Sequence, residues 1–307
     1  MSGVITTGNI SRLLQEGVKN VFGQAYEKHD TQWDKLFTTE DSRKAFEQDQ
    51  QFEGFGLAPV KQEGSGIAYD SQQEGFSPKY QNLTYAKGFI VTKEAMDDNL
   101  YNLFATRARA LAFSMQQTKE NVGANIYNRG FNSAFTMIGG DGKELFATDH
   151  INGPSDSTTF SNELATPAAL SEASLEDMLI QINEATDPRG LRIALRGQRL
   201  IVPPKLGFEA ERILKSVLQN DTANNAINAV RNMGMLPEGH MVNNYLTSNT
   251  AWFIKTNAPD GVKHFNRQSV DFDQDMDFGT SNARFKADER YAFGWSDPRG
   301  AYGSAGV

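Results

Sequence analysis

The 307-residue sequence contains no cysteine. Disulfides and thiolate metal sites are excluded, so extra stability has to come from packing or from association between chains. No apolar run approaches the roughly 18 residues of a membrane-spanning helix, and the opening MSGVITTGNISRLLQEG lacks the basic start and apolar block of a secretory signal. The expectation is a product made in the cytosol with no membrane partner. There is no lysine-rich or arginine-rich block either, and a net charge of −8 argues against tight, salt-sensitive nucleic-acid binding by the whole chain. What is present is a globular composition, 39% hydrophobic, on a length that suggests two domains or one elaborated one.

The longest helical pattern runs from Thr92 to about Phe131. Met96, Leu100, Phe104, Ala108, Leu111, Met115, Val122 and Ile126 recur three, four or seven residues apart, which predicts one apolar stripe with polar residues on the other faces. Such a helix is roughly 55–60 Å long and far exceeds the usual 11–12 residues or so, so it reads as a spine that carries separate structures. Before it, residues 1–50 read as an arm. Ile10, Leu14, Val18, Val21, Phe22 and Ala25 make one amphipathic helix, followed by Trp33, Leu36 and Phe37, and either the rest of the chain or a second copy must cover them.

Residues 51–91 are punctuated by Gly54, Gly56, Gly64, Gly66, Gly75 and Gly88, and the alternation of Leu83, Tyr85, Phe89 and Val91 predicts a long hairpin with a loose tip. After the spine segment (92–167, including a polar linker), residues 168–260 read as a compact α/β domain. Its helix stripes are Leu175, Met178, Leu179, Ile182 and Leu206, Ala210, Ile213, Leu214, Val217, around a buried strand Leu200–Ile201–Val202. The asparagine-rich 219–232 reads as an irregular tip. The last segment, 261–307, returns to a hairpin, with Val270, Phe272, Met276 and Phe278 alternating with Asp271, Asp273, Asp275 and Asp277.

That acid row starts like a calcium loop, but the glycine and glutamate that such a loop needs are replaced by Met276 and Asn282. A four-residue turn at 279–282 instead predicts cross-strand pairs Asp277–Arg284, Asp275–Lys286 and Asp271–Arg290. Asp149–His150 is the one candidate hydrolytic pair, and no nucleophile elbow accompanies it. Gly139–Lys143 departs from a phosphate loop at Met137 and Glu144, and Gly54–Phe55–Gly56 lacks the third glycine of a dinucleotide site. No cofactor or metal is expected.

The order of arm, glycine-rich hairpin, spine helix, α/β domain and returning hairpin resembles the major capsid proteins of tailed bacteriophages, and most closely the Mu-like major head subunits. The stretches Glu144–His150, Leu200–Leu206 and Tyr245–Phe253 carry the similarity. The resemblance implies an α+β protein of the Hong Kong 97 fold, with a peripheral domain of spine helix and sheet, an axial α/β domain, and an extended loop reaching a neighbour. It implies a non-enzymatic structural protein forming an icosahedral shell of pentamers and hexamers around phage double-stranded DNA, which it contacts weakly and without specificity. Portal, separate scaffolding and decoration proteins would be its partners, the host cytoplasm its place of assembly and the virion capsid its destination. With only about 50 residues ahead of the loop, the expectation is that scaffolding is a separate protein rather than a segment of this chain. Candidate inter-subunit residues are Val60, Ile67, Tyr69, Phe76 and Tyr80 in the loop and Leu14, Val18 and Phe22 in the arm. The alternatives are an encapsulin-like compartment shell and a soluble hydrolase using Asp149 and His150.

Overall fold

A computed structural model describes residues 7–97, 101–154, 158–218 and 226–307, with side chains from residue 16 onward except 96–103. Ile10, Leu14, Met96 and Leu100 therefore lie outside the described side chains. The chain opens with helix α1 (Thr7–Glu27), the turn α2 (Trp33–Leu36) and strands β1 (Thr38–Asp41), β2 (Phe46–Gln48), β3 (Lys79–Gln81) and β4 (Leu83–Val91). Helices α3 (Lys93–Asp97) and α4 (Tyr101–Asn128) follow, then β5 (His150–Ile151), β6 (Thr159–Phe160), α5 (Glu172–Asn183), β7 (Gly197–Val202) and α6 (Gly207–Lys215). The remainder is α7 (Ala229–Asn232), β8 (His240–Val242), β9 (Trp252–Thr256), β10 (Val262–Met276), β11 (Ala283–Trp295) and β12 (Ala301–Ser304).

Helix α4 is the spine. Its 28 residues span about 42 Å and end at Asn128, three residues before the expected end near Phe131; residues 98–100, between it and α3, lie outside the described set. Phe104, Ala108, Leu111 and Met115 face the core as expected, but the buried positions then step by four, to Lys119, Gly123 and Tyr127, so the buried face drifts around the helix. Val122 and Ile126 are only half-buried. Gly123 permits a close crossing, since a Cβ there would stand 3.2 Å from Trp33 and 3.4 Å from the Phe293 ring.

The spine lies on a four-stranded sheet of order β1-β10-β11-β4, with β1 parallel to β10 and the other pairs antiparallel. Alternation along the long strands sends Phe272, Phe285 and Ala287 inward against Phe104, Leu111 and Met115. The arm helix completes this core from within the same chain. Val18 and Phe22 are buried, with the Phe22 ring 4.8 Å from that of Phe272, so these two expected inter-subunit residues are core residues instead. Burial of each is worth roughly 1.5–3 kcal/mol, which is reason enough for the arm to fold back.

The returning hairpin forms, but its register differs from the expected one by two residues. Asp277 N–H donates to Asn282 O at 2.9 Å, and its carboxylate accepts from the Thr280 hydroxyl at 2.8 Å and from Arg284 at 2.7 Å. The turn thus closes earlier and carries Phe278 out into solvent. Asp275 stands opposite Arg284, Asp273 opposite Lys286 and Asp271 opposite Asp288, so the expected pairs Asp275–Lys286 and Asp271–Arg290 do not form. A bulge-like shift between Asn266 and Asp271 leaves Arg290 opposite Gln268. Asp277 and Arg284 do form an ion pair, across the turn rather than across the ladder. A slip of two keeps every side chain on its own face, which is why alternation alone did not fix the register.

A second sheet, of order β12-β9-β7-β8, forms the α/β domain. Helix α5 begins with a reciprocal cap between Ser171 and Ser174 and buries Leu175, Met178, Leu179 and Ile182 against Leu200, Val202 and Ile254. Ala301–Ser304 pairs with β9, so the last strand belongs to this sheet and the chain passes back from 261–307 into the domain expected to end at 260. Of the asparagine-rich tip, residues 219–225 lie outside the described set. The far face of the second sheet presents Ile201 and Phe253 to Leu36, Phe37, Tyr127, Phe146 and Trp295, so one core joins both sheets.

Between arm, spine and sheet lies a buried polar junction. Lys119 Nζ is 3.7 Å from Glu289 Oε2, with side-chain exposures of 9% and 0%, and the Tyr26 hydroxyl donates to the same oxygen at 3.0 Å. Burial pushes the Lys119 pKa down and the Glu289 pKa up, each partly offset by the other. The neighbouring Glu120 carboxylate accepts from the N–H groups of Gln32 at 2.6 Å and Trp33 at 3.0 Å, which fixes the start of α2 to the spine.

His264 packs between Trp33 and Phe293, with ring centroids 4.4 and 4.5 Å away. Burial first, and then the Lys119 charge, push its pKa down to about 3. The folded state needs this ring neutral, whereas the unfolded chain protonates it near 6.5 or so. Its stability contribution is therefore full above about pH 6.5 and falls away as pH drops toward 3. His264→Phe is expected to reduce the pH slope of stability between about pH 6 and 4 by nearly one proton's worth, about 1.4 kcal/mol per unit, in urea unfolding of the subunit. An unchanged slope would refute this assignment.

Candidate inter-subunit strap and its anchorage

The excursion between β2 and β3 is narrower than expected. Leu83–Val91 pairs with β11 as an edge of the main sheet, so the loop proper is residues 49–78. Its stem is an antiparallel ladder: Asp49 N–H donates to Pro78 O at 3.0 Å, Gln51 to Phe76 at 2.9 Å and Glu53 to Gln73 at 3.0 Å. The returning limb is tied on its other side as well, where Ser77 and Lys79 donate to Gly139 and Ile138 at 2.9 and 2.8 Å.

The root is held by a polar cluster. Lys263 Nζ, almost fully buried, lies 2.7 Å from Asp49, 2.9 Å from Asp260 and 3.3 Å from Glu40. Burial pulls the Lys263 pKa down, but the hydrogen bonds to Asp49 and Asp260 outweigh it and hold the ammonium above its usual range. The Ser296 hydroxyl donates to Asp49 at 2.5 Å and meets the Tyr80 hydroxyl at 2.7 Å. Tyr80 is buried against Phe265 and Ser296, so it anchors the root rather than facing a neighbour, contrary to expectation. Phe76 is half-buried beside Met137 and Trp295.

Beyond Glu53 and Gln73 the strap has no ladder. Val60, Ile67 and Tyr69 are exposed by 94%, 60% and 90%, and Phe55 and Leu57 join them in solvent. Val60, Ile67 and Tyr69 remain candidates for a contact with a neighbour. One tie holds the tip: Arg189 Nη1 and Nη2 donate to Asp70 Oδ2 and Ser71 O, both at 2.5 Å, while Gly56 N–H donates to the same carboxylate at 2.8 Å. Sequence reading missed Asp49, Asp70, Arg189 and Lys263. Asp187–Pro188–Arg189–Gly190 has the composition of a turn, which signals an exposed Arg189, but a partner 119 positions away leaves no local trace.

The Asp149–His150 pair does not assemble. The Asp149 carboxylate pairs with Lys143, and His150, fully buried, places Nδ1 2.5 Å from Asp141 and Nε2 3.3 Å from Leu145 O. A histidine locked in this way fastens the 139–151 segment and has no route to a substrate.

The loop is anchored at its root and leaves Val60, Ile67 and Tyr69 uncovered, as are Phe113, Phe208 and Phe278 elsewhere on the subunit, and the sequence-suggested catalytic pair is dismantled. Residues 77–304 match the family model of phage capsid proteins, most of the chain, and the chain belongs to that family. No curated protein sequence matches it. Among solved structures, a virus-like particle from Pyrococcus furiosus is similar at 14% identity and TM-score 0.54, over 94% of this chain and 98% of the other. The procapsid of bacteriophage JBD30 is similar at 14% identity and TM-score 0.54 (98% and 76%), and Mycobacterium phage Patience at 12% and 0.54 (99% and 89%). These likenesses show the fold, a mixed α+β capsid type of the Hong Kong 97 kind. The chain is a structural capsid protein.

Proposed function

We propose that this chain is the major head subunit of a tailed phage of the Mu-like type, and that its copies close into an icosahedral shell of pentamers and hexamers around double-stranded DNA. The observation that supports this most directly is the strap, a rooted loop whose apolar tip the subunit itself leaves uncovered. Repeated weak contacts suffice for a shell because their number multiplies their effect. The net charge of −8 suits a container that holds its genome without clamping it. Portal, separate scaffolding and decoration proteins complete the particle, which is assembled in the host cytoplasm and ends as the virion capsid. Limited proteolysis tests the reading. Unassembled subunit is expected to be cut within 54–72 and assembled particles to resist there; equal cleavage in both states would remove the strap from the interface.

A further inference from the structure

We propose that the Arg189 turn is a receptor for the strap of a neighbouring copy, occupied in the free subunit by the chain's own Asp70. The inference rests on the shell reading above and names the surface the strap docks to and its partner, a second copy of this chain.

The receptor is preformed. Asp187 Oδ1 accepts the N–H groups of Arg189 at 2.9 Å and Leu191 at 2.7 Å, and Gly190 takes a φ of +78° that closes the turn. The turn thus aims the guanidinium without help from the strap. The ligand is preformed as well, because the Asp70 carboxylate that Arg189 binds also takes Gly56 N–H and so ties the two limbs of the strap together. The Asp70 pKa is lowered from its usual range, chiefly by Gly56 N–H and further by Arg189.

Among the described residues, no other hydrogen bond commits the tip to its own chain. The hydrogen bonds described from the strap beyond Glu53 and Gln73 to the rest of the molecule both run to Arg189, and a cavity of about 490 Å³ remains between the strap and the Asp187–Gly190 turn. The pair is partly exposed, at 24% and 44%, and opens readily. Exchange between copies re-forms the same two hydrogen bonds to Arg189 and leaves the Gly56–Asp70 bond within the strap intact, so it costs nothing at the clasp itself, which is the economy of a domain swap. The closed form leaves Val60 and Tyr69 in water, whereas a strap reaching across to another copy can lay them against that copy. The apolar contact therefore drives the exchange, and Arg189 sets its register through a two-pronged bond.

Because the chain has no cysteine, Ser71→Cys with Pro188→Cys introduces the only two thiols; Ser71 lies on the tip and meets Arg189 through its carbonyl alone, and Pro188 lines that cavity. A short bismaleimide is applied to free subunit and to particles, followed by denaturing electrophoresis. Free subunit is expected to give single chains crosslinked within themselves, and particles a ladder of covalent multimers. Particles that yield only single chains overturn the exchange while leaving the shell intact; wild-type protein that forms no particles removes the shell reading and the exchange with it. Adding Arg189→Gln to the pair is expected to lower the multimer yield several-fold, and an unchanged yield removes Arg189 from the receptor. Thr159→Cys, which lines the same cavity, replaces Pro188→Cys should that variant fail to fold.

Discussion

Lys119→Ala is expected to destabilise the unassembled subunit by about 3–5 kcal/mol, because it leaves Glu289 charged, unexposed and without its cation beneath the spine. Glu289 also receives the Tyr26 hydroxyl, and Lys119 lies over the Trp33 and Tyr291 rings at 4.5 and 4.9 Å, so the loss spreads to the arm. The measurement is the urea midpoint of purified subunit, with accumulation of insoluble chain as the extreme form of the same result. Lys119→Met with Glu289→Gln removes both charges and is expected to recover most of the loss. A single-variant effect below about 1 kcal/mol would mean that water reaches the pair and that the junction is not closed.

Lys119 also shows where the sequence was legible and where it was not. The run from Phe104 to Met115 announced the spine because four apolar residues at helical spacing have few other uses. Past Met115 the buried positions include Lys119, Glu120 and Gly123, types that ordinarily mean solvent or weakness, and apolar periodicity followed Val122 and Ile126 instead. Only the partners explain the choice: Glu289 for the lysine, the α2 amides for Glu120, the Trp33 and Phe293 rings for the glycine. The element order, the α/β domain and the hairpin were readable for the same local reasons. The hairpin register was not, because a shift of two residues changes pairing without changing faces. The strap was legible as a glycine-rich excursion and its exposed Val60, Ile67 and Tyr69 as its apolar content. Its anchors were not, since Asp49–Lys263 and Asp70–Arg189 join residues far apart in sequence whose types alone predict surface positions.

Replacing residues 54–72 with a short glycine turn is expected to separate folding from assembly. Glu53 and Gln73 already face each other at the end of the stem, so a short turn can close the ladder, and the tip contributes little burial to its own subunit. Subunit stability is expected to change little, in keeping with the loss of one exposed ion pair. Particle yield is expected to fall by more than about 100-fold, because every subunit loses the same contact and the losses multiply around a closed shell. The root cluster of Lys263, Asp49 and Tyr80 stays in place in this variant, so the difference isolates the tip.

Electron microscopy of concentrated wild-type protein beside this shortened variant tests the central claim most directly. The account predicts closed particles of uniform size from the wild type, and folded subunits without particles from the variant. Wild-type protein that remains as separate subunits, or shortened chains that close into the same particles, would contradict it.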